Sequence, residues 1–379
     1  DGIRDPLWSR GLGDVYKRQP TTFVIAVEAL TVWDWGPEIS VPDIVQAVVE
    51  LAVTVIAPLT VADAVGGPDC VQLDATDEKQ VEHFLSDKHG VVCAGPYHIT
   101  KPVAKVCAKL NKAYFDPTED TEMAEFINSC SNSETMMTQC GLAPGAVNII
   151  ATDLIKQFDT VDKVKMRVGA LPKYPINEMG YYLTWSTVGV LNEYVNPCDI
   201  LSNFKHTKAQ PLDGKETVYV DGDRYEAFNT SGGASSMCKT FEGKIKSLSY
   251  KTIRYPGHCD KMQFLLEDLN LKHNKQKFVE LFDQELPYTT QDVIVMVISV
   301  IGKINGKMIE KAYHKKIYGN KSFSGIQLST ASGICANVML WAQGELPAGP
   351  LKQEDIPFDK WITNRFGKLY AQWVISTPF

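Results

Sequence analysis

Two rhythms of apolar positions divide the chain. From residue 20 to 145, short β-rich runs alternate with stretches in which apolar residues recur every three or four positions. The runs LTVAD (59–63), CVQLDATD (70–77), GVVCAGPY (90–97), KAYFDPTED (112–120) and TMMTQCGLAPG (135–145) each carry a strand-like segment that ends in Gly, Pro or Asp. Between them EKQVEHFLSDKH, KPVAKVCAKLN and EMAEFINSCSN have helical spacing. Strand, helix, strand at this cadence predicts an α/β fold with a doubly wound parallel sheet, which takes ligands at the carboxyl ends of its strands.

After Gly145 the rhythm changes. KVKMRVGALP (163–172), ETVYVDG (216–222), KSLSYKTIRY (246–255), DVIVMVISVIGKING (292–306) and MIEKAYHKKIY (308–318) read as strands of a mixed sheet, covered by helices such as AVNIIATDLIKQF and STASGICANVMLWAQ. Asn305-Gly306 supplies the pair of positive-φ residues that a tight hairpin needs. The expected organisation is a nucleotide-binding domain over 20–145, an α+β substrate and dimerisation domain over 146–343, and a segment 344–379 that opens with a Gly/Pro linker and returns to the first domain. Residues 1–19, DGIRDPLWSRGLGDVYKRQ, read as translated adaptor sequence outside the fold; a native disordered leader is the alternative.

Composition narrows the function classes. The 379 residues are 44% hydrophobic and 22% charged, with a net charge of -7 and no basic tract, so neither a nucleic-acid nor an anionic-membrane surface is expected. The apolar run LAVTVIAPLTVA (51–62) is interrupted by Pro58 and falls short of the roughly 20 residues a membrane span needs. Nine scattered cysteines with no CxxC pair point to reduced thiols in the cytoplasm and to no metal site.

A Rossmann-type sheet should open with a strand, G-x-G-x-x-G and a helix, because the glycines let the backbone approach a pyrophosphate. TVWDWGPEISVPDIVQAVVE stands there instead: only Gly36 fits, and Glu38 and Val41 occupy the other glycine positions. Either this stretch is miscoded or the domain has lost its cofactor. Later acids favour the first reading. Asp63 stands where an acid meets an adenosine ribose hydroxyl, and Asp74 where an adenine-edge contact is usual, although acids at strand ends are also common for structural reasons.

The segments CGLAPGAVNIIATDL (140–154), VGALPKYPINEMGYYLTWSTVGVLNEYVNPC (168–198), VYVDGDRYEAFNTSGG (218–233) and YKTIRYPGHCDKMQFLLEDL (250–269) follow one another as in the saccharopine dehydrogenase family, which the chain resembles over about residues 53–370. The resemblance implies an NAD- or NADP-dependent oxidoreductase, with the amino-acid substrate in a cleft between two domains. Such enzymes pass a hydride from a carbon bearing an amine to a nicotinamide and leave an imine for water to hydrolyse. By the same resemblance, Arg254 is the substrate-carboxylate arginine, with Thr252 on its strand face. Trp185 and Ser186 face the ligand, Asn229 and Thr230 form a loop at the cleft, and Ala94, Pro96 and Tyr97 pass the nicotinamide ribose. Asp116 and Thr118 then edge the reacting carbon, with Asp116 as base or amine partner; a helix N-cap is its structural alternative.

His258 could bond substrate, shuttle a proton or merely cap the following helix. Ala143 stands where the fungal glutamate-forming type carries an Asp, and matches the form of bacterial and lysine 6-dehydrogenase-like members, so the resemblance does not by itself carry saccharopine specificity. The leading reading is a saccharopine dehydrogenase (L-glutamate-forming) of lysine metabolism. The alternatives are lysine 6-dehydrogenase and a non-catalytic member that has lost its dinucleotide site. One carboxylate clamp would fit the smaller substrate, whereas saccharopine, with three carboxylates, calls for further cations around Arg254. A homodimer formed through the strand VIVMVISVI is also expected.

Overall fold

The computed structural model describes residues 22–25, 53–58, 70–95, 97–321, 323–371 and 375–378. The first sheet is built from β1 (Thr22–Ile25), β2 (Val53–Pro58), β3 (Cys70–Leu73), β4 (Gly90–Cys93), β5 (Ala113–Phe115) and β6 (Thr135–Met137). β2, β4, β5 and β6 form a parallel ladder in that order. The β-branched run Thr54 to Ile56 makes β2 a strand. β1 departs from the all-parallel expectation: it lies between β2 and β3 and runs antiparallel to both. It therefore does not stand as the parallel opening strand of a nucleotide-binding unit. Helices cross between the parallel strands. Glu78–Leu85 is capped by the Asp77 carboxylate and buries Val81 and Leu85, and Thr121–Ser129 is capped by Asp120.

The second sheet contains β7 (Thr160–Pro172), β8 (Cys198–Ser202), β9 (Lys205–Ala209), β10 (Glu216–Val220), β11 (Asp223–Asn229), β12 (Ser247–Arg254), β13 (Asp292–Ile304) and β14 (Lys307–Tyr318). Its order is β10-β11-β12-β7-β13-β14, with β8 against β12 and β9 against β8. Only β12 and β7 pair in parallel, so the sheet is mixed. Asn305 and Gly306 turn the β13–β14 hairpin with φ of 51° and 76°. The β8–β9 hairpin escapes the sequence pattern because β9, KHTKA, buries no residue and β8, CDILS, buries only Cys198 and Leu201. Two short strands close the fold: β15 (Gly349–Pro350) adds to β6, and β16 (Ile375–Pro378) adds to β14.

One core joins the sheets. Phe115 and Met137 of the first sheet share it with Val164, Met166 and Val168 of β7, Met296 and Ile298 of β13, and the helix Gly325–Ala342. Phe115 meets Trp341 of that helix edge-on at 6.1 Å. The helix Ala146–Lys156 begins at Gly145, whose φ is 138° and where a Cβ would lie 2.1 Å from Gly141 O. Asn148 ties this turn to a second loop. Its Oδ1 accepts from Gly145 N at 2.8 Å, and its Nδ2 donates to Gly233 O at 3.0 Å. The carboxyl ends of β5 and β6 are thereby held against the second sheet, where the cleft opens.

Candidate active site

A cavity of about 280 Å³ lies where these loops meet the second sheet. Pro117, Thr118 and Glu119 reach it from the loop after β5, and Leu142, Ala143 and Pro144 from the loop after β6. Tyr250, Thr252 and Arg254 project into it from β12 because alternate residues of a strand share a face. Trp185 and Glu193 close the far wall, and Ile326 and Thr330 come from the first turns of the long helix.

Arg254 is only 2% exposed, and it forms no ion pair with any described residue. Its Nε donates to Tyr194 Oη at 2.8 Å and its Nη1 to Ile253 O at 3.0 Å, and the guanidinium stands 5.1 Å and 5.8 Å from the Tyr181 and Tyr194 ring centres. Burial lowers its pKa, but Tyr194, Tyr181 and Glu193 raise it by more, and the guanidinium stays cationic. A buried, charged, unpaired guanidinium beside a cavity is costly unless an anion from outside completes it.

His258 stands one layer behind. Its Nδ1 lies 3.1 Å from Met179 O, a pure acceptor, so Nδ1 carries the hydrogen and Nε2 accepts from Tyr194 Oη at 3.1 Å. Burial, then the Arg254 charge, lowers its pKa to about 3 and holds it neutral. The ring does not line the cavity and both nitrogens are engaged, which corrects the expectation of a proton shuttle at the substrate. It orients Tyr194, which in turn orients Arg254. Nor is the helix cap its own: the Glu226 carboxylate accepts from Gly257 N at 2.9 Å and from Cys259 N at 2.6 Å.

Asp116 is also displaced from its expected role. It is fully buried beneath the cavity loop, where Oδ1 accepts from Thr118 N and from Thr138 Oγ1, both at 2.8 Å. Oδ2 has no hydrogen-bond partner, and burial raises the carboxyl to about 6 against the bonds that hold it down. Asp116 shapes the loop, and Thr118 and Glu119 are the residues presented.

Thr230 meets Thr252, Oγ1 to Oγ1 at 2.7 Å, and so braces the cavity-lining strand. Asn229 lies outside the cavity and holds the preceding loop through Gln210 O at 3.3 Å. Ser186 is exposed and caps the helix Thr187–Val195 by accepting from Gly189 N; its hydroxyl is committed to that turn. Trp185 does line the cavity, with its ring so close to Gly189 that a Cβ there would come within 2.4 Å. Asp74 shapes the turn after β3 by accepting from Thr76 N and Thr76 Oγ1, at 2.9 and 2.7 Å. Gly36, Asp63 and Pro96 lie outside the described residues, as does the Tyr97 side chain; Tyr97 opens the helix Tyr97–Leu110.

Glu193 was not foreseen. It is 8% exposed and ion-pairs with no described residue. Its carboxyl is raised to about 8 by burial and then by Glu119, against the opposing pulls of Arg254 and Thr252. Its signal was an acid on the apolar stripe of a helix, beside Val190, Leu191 and Tyr194. Among the described residues no cluster of three or more His, Cys, Asp or Glu could hold a metal, no cysteines are bridged, and no helix is long and apolar enough to cross a membrane.

The described residues fit the nicotinamide end of a dinucleotide. The loop after β5 lines the cavity, β4 runs parallel beside β5, and Ala94 after β4 is exposed and small enough to admit a flat ring. The glycine-loop stretch that would hold a pyrophosphate lies outside the described residues.

The fold is similar to that of apo saccharopine dehydrogenase (L-Glu forming) from Saccharomyces cerevisiae, with a TM-score of 0.67 and 14% identity over 84% of this chain and 91% of that one. A homospermidine synthase from Legionella pneumophila, solved with NAD, follows at a TM-score of 0.58 and 12% identity, over 85% of this chain and 83% of that one. At these identities the likeness is one of fold, that of a Rossmann-type dehydrogenase carrying a second, mixed sheet. The sequence profile of the saccharopine dehydrogenase C-terminal domain matches residues 141–368. That span covers more than half of the chain and includes β12 with its buried arginine, so the chain belongs to the saccharopine dehydrogenase family of oxidoreductases.

Proposed function

We propose that the chain oxidises a CH–NH bond of an amino acid with NAD or NADP, and that Arg254 binds the substrate carboxylate. The buried guanidinium without a protein counter-ion carries this reading. Its planar fork matches a carboxylate with two parallel hydrogen bonds. A nicotinamide bound against the ends of β4 and β5 would accept the hydride from the carbon bearing the amine. The protein's part is to fix that carbon. Arg254 anchors one end of the substrate, Trp185 and Pro144 flank the cavity, and the loop held by Asp116 excludes water from it.

The charge around the cavity favours a small substrate. Saccharopine, with three carboxylates, calls for several cations, but His258 is neutral and turned away. Lys251 points to the opposite strand face, toward Gly214 O and Glu216. Arg254 is the one cationic side chain among the described lining residues, beside two carboxyl groups. A lysine-like diamino monocarboxylic acid matches that balance better. Saccharopine remains the rival because the family includes enzymes that act on it and because the fold resembles the yeast protein.

The decisive assay follows reduced nicotinamide absorbance on mixing the chain with NAD or NADP and either L-lysine or L-saccharopine. A faster rise with lysine is expected. A clear preference for saccharopine would overturn the substrate choice, and silence with all four combinations would favour a binding-only member of the family.

A further inference from the structure

The cavity holds a second buried ionisable group that carboxylate binding leaves unexplained. Glu193 is as deep as a core residue, yet no described cation comes within ion-pair reach of it. A carboxylate in such a position is costly unless a cation arrives. Arg254 shares the cavity but the fold keeps the two apart, since neither ion-pairs with the other. Glu119 enters the same cavity from the opposite wall, on the loop after β5, whereas Glu193 rides on the helix Thr187–Val195 beside the second sheet. Gly232 gives that wall its closeness: a Cβ there would stand 3.3 Å from Glu119 Oε2.

We infer that Glu193, on the helix across from the Glu119 loop, recognises an ammonium group of the substrate, so that an ion pair bridges substrate and protein there. The inference rests on the amino-acid reading above and names the residues that read the amine. Glu193 gives up its own proton when the ammonium binds: the carboxyl O–H bond breaks, the proton passes to solvent, and the carboxylate pairs with the cation. In the empty site the groups acting on Glu193 are Glu119 from the first wall, Arg254, Thr252 and Tyr250 from β12, Tyr194 from its own helix and Tyr181 from the segment before it. Burial and Glu119 keep it protonated to about 8, so at pH 7 a proton is there to be released. After oxidation and hydrolysis the carbon no longer carries an ammonium, and the bridge is lost.

The test is calorimetric titration of the full chain at pH 7, in two buffers of different ionisation heat, with L-lysine and with hexanoate, which keeps the carboxylate and lacks both amines. The wild-type chain should bind lysine at least tenfold more tightly than hexanoate and release close to one proton with lysine alone. Glu193→Gln should bind the two ligands within about threefold and release none. Glu119→Gln, which removes the charge that raises Glu193, should release a smaller fraction. Near-ultraviolet circular dichroism confirms that each variant is folded.

A Glu193→Gln protein that keeps both the lysine preference and the proton release overturns the inference, as does a wild-type chain that binds the two ligands equally. In the second case hexanoate binding that needs Arg254 would leave the carboxylate reading standing. Binding of neither ligand would sink both.

Discussion

Replacing Arg254 by methionine separates what this residue does for binding from what it does for folding. In the folded chain Arg254 is only 2% exposed and has no carboxylate partner within ion-pair reach. Its compensation is two hydrogen bonds, to Tyr194 Oη and to Ile253 O, and contacts with two aromatic rings. The bonds contribute about 2 kcal/mol together, and the ring contacts about 1–2 kcal/mol together. Burying the charge costs several kcal/mol, so the residue is neutral or destabilising in the ligand-free protein. Methionine fills a similar linear volume without that cost. Arg254→Met should therefore melt at the same temperature as the wild type or slightly above it.

Ligand binding should move the other way. Two charge-assisted bonds to a carboxylate, at about 1.5–2 kcal/mol each, make about 3–4 kcal/mol, or a Kd raised roughly 150- to 1000-fold. L-lysine at one hundred times the wild-type Kd stabilises by about 2.7 kcal/mol. With an unfolding entropy of about 2.1 cal/mol/K per residue over 379 residues, that is a rise of roughly 3 °C in melting temperature. Arg254→Met should show less than 1 °C at the same concentration. The assay is a thermal melt of both proteins with and without lysine. A variant that keeps the 3 °C shift would show that the carboxylate binds elsewhere. One that loses many degrees without ligand would show that the arginine is a structural ion whose partner has been overlooked.

Two further perturbations test the scaffold around the cavity. His258 is held neutral with a pKa of about 3, while an unfolded histidine titrates near 6.5. As pH falls below about 6.5 the unfolded chain takes up a proton that the native one refuses, and stability drops by up to about 1.4 kcal/mol per pH unit. His258→Gln removes that contribution, so denaturant melts at pH 7 and pH 4.5 should show an acid loss smaller by about 2–3 kcal/mol; equal losses would mean that His258 charges freely in the fold. Gly145→Ala should cost at least about 3 kcal/mol, because φ is 138° and the new methyl would meet backbone atoms of Gly141 from 2.1 Å. Gly222→Ala, with a φ of 84° and nothing within 4 Å, should cost only about 1 kcal/mol, and similar losses at the two glycines would show that contact with Gly141 is not what constrains Gly145.

What the sequence revealed of this site followed from local periodicity. The two-residue repeat of KSLSYKTIRY put Thr252 and Arg254 on one strand face, and both line the cavity. Residues whose work depends on a neighbour distant in the chain were harder to place. Ser186 and Trp185 are adjacent, yet one caps a helix and the other walls the cavity, a division set by where the helix begins. Asp116 ends its strand as expected, but its carboxylate turns back to hold its own loop and lets Glu119 face the ligand space. The polar β8–β9 hairpin and the reversed β1 left no pattern, because pairing partners far along the chain decide their place.

Glu193 is the sharpest case. An acid beside Val190, Leu191 and Tyr194 signals only that something in a helix face is out of place. Its meaning depends on Arg254, some sixty residues on, sharing the cavity without neutralising it. The fold buries the Arg254 cation and the Glu193 carboxyl in a single small cavity with no ion pair between them, and burial and Glu119 hold that carboxyl protonated up to about 8. Were Glu193 ionised, the two charges would attract strongly at low dielectric, so its neutrality in the empty site is part of what keeps the pair unformed. The Tyr194–His258–Met179 chain holds Arg254 on one side, and the Thr230–Thr252 pair braces the strand that carries it. On the proposed reading, a zwitterionic amino acid would bring a carboxylate to Arg254 and an ammonium that draws the proton from Glu193.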